Sequence, residues 1–222
     1  MVKSRTGKRY QALQVIIVAL AVALVWAPAS AWAKHITILA IGDSLTAGYG
    51  LDDPDSFPVQ LEARLKADGY DVTVQNAGVS GDTSAMGLAR LDWVLGGGAP
   101  DIVILELGAN DALRGISPAN TRANLVQLIE RIRAKHIPIL LAGMMAPRNL
   151  GPDYIKQFDP IYPELAAKYG LPLYPFFLNG VIDHPDLLQD DGMHPTPDGV
   201  KVIVDGILPV LKPMIDAANA TP

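Results

Sequence analysis

The sequence predicts an α/β fold in which a parallel β-sheet is covered by helices on both faces. Short apolar runs bounded by turn residues alternate along the chain with longer segments whose apolar residues recur at helical spacing. Such alternation is typical of parallel sheets, because a parallel crossover needs a connection long enough to hold a helix. No linker rich in Gly, Ser or Pro separates these segments and no repeat is visible, so we expect one domain.

Five apolar runs predict the strands. They are continuous rather than alternating, as expected for strands that are buried on both sides of a sheet. Four of them are strong and the fifth, over residues 173–176, is weaker. The four strong runs cover residues 36–41, 72–75, 102–107 and 139–142.

Four longer segments predict the helices. Ser117 and Thr196 are each followed by a proline, which is the usual combination of an N-cap with a proline at the first helical position. Apolar residues then recur three and four positions apart, as on one buried face of a helix. The predicted helices are residues 57–67, the stretch after Pro118, residues 153–169 and the stretch after Pro197.

The first 33 residues have the pattern of a signal peptide. A basic start precedes the apolar, uncharged run 12–26, and Ala31-Trp32-Ala33 fits the small-x-small cleavage site. The run is shorter than the roughly 20 residues of a spanning helix. We therefore predict cleavage near Ala33, export to the periplasm or beyond, and a folded domain over residues 34–222. An uncleaved N-terminal anchor is the alternative, because the apolar run is at the long end for a signal peptide.

The charge balance narrows the classes of partner. The chain has 18 Lys and Arg and 23 Asp and Glu residues, and residues 1–33 hold four of the basic and none of the acidic ones, which leaves the domain with 14 against 23. A net charge of −9 argues against nucleic acid or an anionic membrane surface as a partner. The absence of cysteine excludes disulfides and a thiol nucleophile. We expect a monomer that binds a small molecule and has no membrane span after cleavage.

A serine at the start of the domain and an Asp-x-x-His near its end supply the groups that a serine hydrolase needs. Gly42-Asp43-Ser44 directly follows the first predicted strand, and Asp191 and His194 can share one loop. We predict Ser44 as the nucleophile, His194 as the base and Asp191 as the group that orients the imidazole. Taken alone, Ser44 would also suit an N-cap or a turn, and His194 would also suit a structural role.

Two more turns are candidates for an oxyanion hole. Asn110 follows the third predicted strand and offers a side-chain amide, and Gly81 offers a backbone N–H to which substrate can come close. Because ligands of parallel sheets bind beyond the carboxyl ends of the strands, these turns and Ser44 are expected on one rim. Both residues would also be natural in plain turns.

The other polar residues near the rim indicate no metal or cofactor. No histidine pair has metal-ligand spacing, and we interpret Asp43, Asp111 and Asp190 as turn and hydrogen-bonding residues. A glycosidase with paired carboxylates would need two of these aspartates to flank a sugar. The serine, aspartate and histidine explain more of the sequence.

Taken together, four blocks resemble those of the SGNH (GDSL) hydrolase family, in the same order and over residues 36–212. Further matches such as Asn110-Asp111-Ala112-Leu113-Arg114-Gly115 are similar to the TesA-like branch of acyl-CoA thioesterase I (also called protease I and lysophospholipase L1) and arylesterases. The four blocks are Gly42-Asp43-Ser44-Leu45, Gly78-Val79-Ser80-Gly81-Asp82-Thr83, Gly108-Ala109-Asn110-Asp111 and Asp191-Gly192-Met193-His194-Pro195.

The resemblance implies a three-layer, flavodoxin-like fold with strand order 2-1-3-4-5. It also implies hydrolysis of carboxylic esters and thioesters through an acyl-enzyme on Ser44, without a cofactor. The oxyanion hole would consist of the Ser44 and Gly81 N–H groups and the Asn110 amide. We expect the acyl chain to lie against apolar residues after strands three and four, namely Leu113, Ile116, Met145 and Pro147.

Two other functions stay open at this point. A carbohydrate O-acetylesterase is the first, because the same family contains such enzymes, although the apolar stretch 144–147 weighs mildly against a polar groove. A non-catalytic binding protein on the same fold is the second, and the presence of Ser44, Asp191 and His194 weighs against it.

Overall fold

A five-stranded parallel sheet forms the centre of the computed structural model, which describes residues 34–220. The strand order is β2-β1-β3-β4-β5, and every neighbouring pair is parallel. This confirms the predicted sheet and the strand order that the resemblance implies. The predicted signal peptide lies outside the described residues. The strands are β1 (Ile36–Gly42), β2 (Val72–Gly78), β3 (Ile102–Glu106), β4 (Ile139–Ala142) and β5 (Leu173–Tyr174).

Helices form a layer on each face of the sheet. The helices are α1 (Ser44–Ala47), α2 (Phe57–Ala67), α3 (Ser84–Leu95), α4 (Ala109–Leu113), α5 (Pro118–Arg133), α6 (Pro152–Phe158), α7 (Ile161–Tyr169) and α8 (Pro197–Asn219). One layer consists of α2 and α8, which contact each other and β2, β1 and β5, and the other contains α3, α5 and α7. Within residues 34–220, no helix has the length and apolar character required to cross a membrane.

The core lies between the sheet and these two layers. All side chains of β3 and β4 are buried, as expected for central strands with a helix layer on each side. The long helix α8 presents its apolar residues to the sheet, whereas Pro209 and Pro213 lie on its exposed side. A glutamate, Glu106, ends β3 inside this apolar core, and it lies beneath the turn that carries Ser44.

Three helices, α1, α3 and α4, were not predicted from the apolar pattern, and α3 is the longest of them. The buried face of α3 contains Ser84 and Gly87 beside Leu91 and Leu95, so its hydropathy periodicity is weak. Gly87 has a packing reason, because a Cβ there would lie 2.3 Å from Leu107 Cδ1. A small residue therefore lets α3 pack closely against the end of β3.

Three predicted elements differ from the observed ones by more than one residue. The single helix predicted over residues 153–169 is two helices, α6 and α7, because Pro160 has no N–H to continue the hydrogen-bond ladder. β5 ends at Tyr174 because Pro175 follows it and cannot donate to a neighbouring strand. β2 extends to Gly78 through its pairing with β1, which the polar residues at its end conceal in the sequence.

Candidate active site

A tight turn after β1 carries Ser44 at the carboxyl rim of the sheet. Asp43 caps α1 by accepting a hydrogen bond from the Leu45 N–H at 3.0 Å, and Gly48 ends this helix in the left-handed region with φ 86°. Gly78 at the end of β2 fits below the turn, since a Cβ there would lie 2.3 Å from the Ala47 nitrogen. These contacts hold Ser44 partly exposed at the end of β1.

Ser44, His194 and Asp191 form a continuous hydrogen-bonded chain. The His194 Nε2 atom lies 2.9 Å from the Ser44 Oγ, and its Nδ1 atom lies 2.6 Å from the Asp191 Oδ2. The structure thus brings together three side chains that come from opposite ends of the domain. With Nδ1–H donated to the carboxylate, Nε2 is free to accept the serine proton.

Asp191 is held as a carboxylate by its own loop. Its Oδ1 accepts hydrogen bonds from the backbone N–H groups of His194, at 3.0 Å, and Met193, at 2.9 Å. These two N–H groups, together with the imidazole, lower the pKa of the Asp191 carboxyl to about 2. The carboxylate is therefore ionised at neutral pH and stabilises a proton on Nδ1.

The predicted oxyanion donors lie on turns that are tied to the nucleophile turn. Asn110, in the first turn of α4, donates its Nδ2–H to Asp43 Oδ2 at 3.0 Å. An amide nitrogen has two hydrogens, so this bond orients the amide and leaves a second hydrogen for an oxyanion. Gly81 adopts a φ of 87°, in the left-handed region.

Arginine side chains brace the Gly81 turn. Within the described residues, Arg90 bridges Asp82, at 2.6 Å, and the carbonyl of Gly42 at the end of β1, at 3.0 Å. Arg114 donates to the Gly81 carbonyl at 2.7 Å. These bonds connect the ends of β1, β2 and β3, so the Gly81 turn keeps a defined position relative to Ser44.

Two buried carboxyls lie beneath the nucleophile. Glu106 Oε2 accepts hydrogen bonds from the Thr46 hydroxyl, at 2.8 Å, and the Asp43 N–H, at 3.2 Å. Burial and the nearby Asp43 carboxyl raise the pKa of Glu106 well above its usual range. Burial also raises the pKa of Asp43 to about 6, against the lowering by its hydrogen bonds from Leu45 and Asn110. Burial and the neighbouring carboxyl thus favour the protonated form of Glu106, whereas the hydrogen bonds from Leu45 and Asn110 favour the ionised form of Asp43.

The segment after β3 is fixed by a second buried network. Tyr162 donates its hydroxyl to the Leu107 carbonyl at 2.8 Å, and a Cβ on Gly108 (φ 124°) would lie 2.1 Å from that hydroxyl. Asp111 is buried and accepts from the Ser84 N–H at 2.7 Å and the Thr121 hydroxyl at 3.0 Å. Asp111 therefore is a hydrogen-bonding residue, as predicted, and it secures the turn that presents Asn110.

The residues predicted to contact an acyl chain lie on the loops that follow β3 and β4. Leu113 and Met145 are exposed, at 55% and 47%, and Ile116 and Pro147 are partly exposed. Their neighbour Met144 is buried in the core. These four residues are thus accessible, and their contact with substrate stays a prediction.

One further histidine of the described residues lies outside the site. His35 pairs with Asp71 at 2.8 Å at the amino end of β1, away from Ser44. Among residues 34–220, no group of three or more His, Cys, Asp or Glu side chains has the arrangement of a metal site. The triad and the oxyanion candidates are therefore the only side-chain set in this part of the chain to which we assign chemistry.

A comparison with protein families places this chemistry in a known group. Residues 40–202 match the model of the GDSL-like Lipase/Acylhydrolase family, which covers all four sequence blocks. The chain belongs to this family. It is therefore a carboxylic ester hydrolase of the SGNH type, a class that includes thioester hydrolases.

Several members of the GDSL family are similar along most of their length. Esterase TesA of Pseudomonas aeruginosa is 42% identical over 81% of this chain and 89% of its own. Thioesterase 1/protease 1/lysophospholipase L1 of Escherichia coli is 39% identical over 81% of this chain and 85% of its own. The crystal structure of AlinE4, an SGNH-hydrolase family esterase, is 49% identical with a TM-score of 0.70, and the match covers 85% of this chain and 98% of that one.

Some residues of this GDSL site were missed or given a lesser role by sequence reasoning. Asp43 is a turn and hydrogen-bonding residue, as predicted, but the sequence did not indicate that its partner would be the Asn110 amide, 67 positions away. Glu106 was not singled out for any role, although a carboxyl at the end of an apolar strand is an unusual signal. Gln189 and Tyr49 contact the His194 loop, and no local pattern indicates this.

Proposed function

We propose that the protein hydrolyses carboxylic ester and thioester bonds through an acyl-enzyme formed on Ser44. The observation that carries the proposal is the hydrogen-bonded chain from Ser44 through His194 to Asp191, at 2.9 and 2.6 Å. These distances are within the range required for proton transfer between a nucleophile and its base. Serine, imidazole and carboxylate suffice for acyl transfer, and no step requires a cofactor.

In the first half-reaction, Ser44 Oγ attacks the substrate carbonyl carbon and its proton passes to His194 Nε2. The carbonyl oxygen becomes an oxyanion, and the imidazolium is stabilised by the ionised Asp191. The tetrahedral intermediate collapses when the carbon–oxygen or carbon–sulfur bond breaks. The proton on Nε2 goes to the leaving group, which departs as an alcohol, phenol or thiol.

In the second half-reaction, water takes the place of the leaving group. His194 removes a proton from the water as it attacks the acyl-enzyme carbonyl, and a second oxyanion forms. Collapse of this intermediate releases a carboxylic acid, and Ser44 Oγ recovers its proton from Nε2. The two halves return the enzyme to its starting protonation state.

The oxyanion in both halves would be bound by the N–H groups of Ser44 and Gly81 and by the Asn110 amide. Ser44 is the first residue of α1, so its N–H has no partner within the helix. The Asn110 amide is already oriented by Asp43, so little reorganisation is needed when charge develops. Pre-oriented donors of this kind are usually a large part of catalysis.

The proposed substrate is a small acyl ester or thioester with an apolar chain. The chain would lie against Leu113, Ile116, Met145 and Pro147, which leave apolar surface accessible on the loops after β3 and β4. Aryl esters, acyl thioesters and lysophospholipids fit this description, since all present an acyl carbonyl beside a hydrocarbon chain. The names of the relatives point to the same three classes.

We infer that the enzyme acts outside the cytoplasm. The basic start, the apolar run and Ala31-Trp32-Ala33 support export with cleavage near Ala33, and the absence of cysteine is compatible with any redox compartment. Residues 34–222 would then be the mature hydrolase domain. Determination of the N-terminal residue of the exported protein would check the cleavage, and a chain that starts at Met1 would indicate the uncleaved N-terminal anchor instead.

The test is hydrolysis of p-nitrophenyl acetate, butyrate, octanoate and palmitate by the purified protein and its Ser44→Ala variant. We expect the variant to fold normally and to lose turnover by at least about 10³-fold, as when a triad nucleophile is removed. The chain-length profile of the parent would define the acyl subsite. Undiminished esterase activity in Ser44→Ala would disprove the acyl-enzyme, and activity of the parent on acetylated glycans alone would favour the O-acetylesterase.

A further inference from the structure

The aromatic ring of Tyr49 packs on the imidazole of His194. The two ring centroids are 4.6 Å apart and the ring planes are inclined by 40°. Tyr49 keeps 54% of its surface exposed, so the ring is not placed there by burial in the core. The proposed hydrolytic reaction uses Ser44, His194 and Asp191 and gives Tyr49 no role.

The backbone of Tyr49 is fixed on both sides of the site. Its N–H donates to the Ser44 carbonyl at 3.1 Å, and its carbonyl accepts from Gln189 Nε2 at 2.8 Å. Gln189 in turn belongs to the His194 loop, because its N–H donates to the His194 carbonyl at 2.8 Å and its Nε2 donates to the Pro195 carbonyl at 2.9 Å. Gln189 thus links the tyrosine to both the nucleophile turn and the histidine loop.

The residue after Tyr49 shows how closely these segments fit. Gly50 has a φ of 75°, and a Cβ at this position would lie 2.1 Å from Gln189 Oε1. A side chain there would therefore displace Gln189 and release the Tyr49 carbonyl. The close packing of Gly50 and the bonds of Gln189 thus fix the backbone of Tyr49, and its ring contacts the imidazole from there.

We propose that Tyr49 is a positioning residue for the hydrolytic reaction, whose ring keeps the His194 imidazole aligned with Ser44 and stabilises its cationic form. This rests on the proposed function, since His194 becomes a cation only when it takes up the serine proton. The negative face of an aromatic ring attracts a cation within about 6 Å of its centroid. The ring acts in the transition state, where the imidazolium is present, more than in the ground state.

The proposal is tested with Tyr49→Leu, which keeps an apolar side chain but removes the ring, and Tyr49→Phe, which keeps the ring. We expect Tyr49→Leu to lower kcat about two- to fivefold with little change in KM, as for an exposed cation–π contact. The acid limb of kcat/KM should move to lower pH by about 0.4 to 0.7 pH unit, because the cationic imidazole loses a stabilising contact. Tyr49→Phe should match the parent in all three quantities.

The charged groups that face the imidazole are the same in all variants. Asp191 contacts it from its own loop, and Asp43 acts on it electrostatically from the nucleophile turn. A difference in the pH profile between Tyr49→Leu and the parent therefore reports on the ring. Trp93→Leu is the matched control, because Trp93 is an exposed aromatic residue on α3, at 83%, and the same replacement there should leave kinetics and pH profile unchanged.

Two results would overturn the proposal. In the first, Tyr49→Leu lowers kcat but leaves the acid limb in place, which is the behaviour of a residue that only supports the loop. In the second, Tyr49→Phe loses as much activity as Tyr49→Leu, which would assign the effect to the hydroxyl. Ser44→Ala in the same assay separates the role of Tyr49 from the proposed function. Full activity of Ser44→Ala would disprove the acyl-enzyme mechanism, whereas the two results above concern Tyr49 alone.

Discussion

At the scale of single residues, Asp43 joins the nucleophile to the oxyanion donor. One carboxylate oxygen accepts the Leu45 N–H and fixes the turn that carries Ser44, and the other accepts the Asn110 amide. Burial makes this carboxylate costly to ionise, and the two hydrogen bonds offset part of that cost. Asp43 therefore couples the position of the Asn110 amide to that of the Ser44 turn.

Asn110→Ala isolates the contribution of that amide. We expect kcat to fall about 100-fold or more with little change in KM, because the lost hydrogen bond is made to the oxyanion and not to the bound ester. The measurement is steady-state hydrolysis of p-nitrophenyl butyrate, with circular dichroism to confirm the fold. A loss of less than about tenfold in a folded variant would show that Asn110 is a turn residue without a catalytic role.

The residues of the triad could be predicted from the sequence, but their supporting contacts could not. Ser44, Asp191 and His194 lie in short motifs whose chemistry is apparent from residue type and spacing. The bonds from Asn110 to Asp43 and from Gln189 to Tyr49 join residues 67 and 140 positions apart. No local pattern records such pairs, because they arise only when the strand ends meet on one rim.

At the scale of elements, β3 supports the nucleophile turn from below. Glu106 is fully buried at the end of this strand and binds the backbone and a side chain of the turn, and its Oε1 has no hydrogen-bond partner within residues 34–220. A Cβ on Gly42 would lie 2.5 Å from Glu106 Oε2, so the turn and the carboxyl are in close contact. The protonated carboxyl of Glu106 suits this buried site better than the carboxylate, because a buried charge without a cationic partner is far more costly.

The pH dependence of stability follows from this buried acid. The pKa of Glu106 is higher in the folded than in the unfolded protein. The protonated side chain therefore contributes its full stabilisation below the pKa of the unfolded state, and this stabilisation is lost as the pH rises toward the pKa of the folded state. Glu106→Gln removes the ionisation and keeps an oxygen acceptor. The measurement is urea unfolding of the parent and Glu106→Gln at pH 5 and pH 8. We expect the free energy of unfolding of the variant, relative to that of the parent, to be higher at pH 8 than at pH 5.

The control for this comparison is Glu164→Gln on α7, where an exposed carboxylate pairs with Arg122. Its difference from the parent should vary little between the two pH values, since exposed ion pairs contribute little. If Glu106→Gln differs from the parent by the same amount at pH 5 and pH 8, Glu106 does not gain a proton on folding.

The elements themselves were predicted where one physical signal dominates. The strands appear as apolar runs because both faces of the sheet are covered, and α5 and α8 begin at a cap followed by proline. Helix α3 escaped prediction because its buried face is built from Ser84 and Gly87 as well as leucines. Close approach to β3 favours small residues there, and small residues carry little hydrophobic signal.

At the scale of the whole molecule, the site and much of the core occupy different regions. Ser44, Gly81 and Asn110 follow the carboxyl ends of β1, β2 and β3, and Asp191 and His194 lie in the loop that precedes α8. The last turns of α8, in contrast, pack in the core and contribute no residue to the site. A rigid scaffold with functional loops at one rim is the usual arrangement of α/β enzymes. Stability and catalysis should therefore respond to different substitutions.

Leu211→Ala in α8 tests that separation. Leu211 is fully buried, so truncation removes apolar contacts and leaves a cavity at an expected cost of about 2–5 kcal/mol. At 25 °C, where the variant remains largely folded, kcat on p-nitrophenyl butyrate should stay within about twofold of the parent, because no contact of the site is altered. Urea unfolding followed by circular dichroism gives the first quantity and steady-state kinetics the second.

Val210→Ala on the same helix is the matched control. Val210 is only partly buried, so its truncation should cost less than about 1 kcal/mol and leave kcat unchanged. A large fall in kcat for Leu211→Ala under conditions where the protein is folded would mean that the α8 layer positions the catalytic loop directly. The reason would then lie in the start of α8, since Thr196, its N-cap, follows His194 by two residues and fixes where that loop ends.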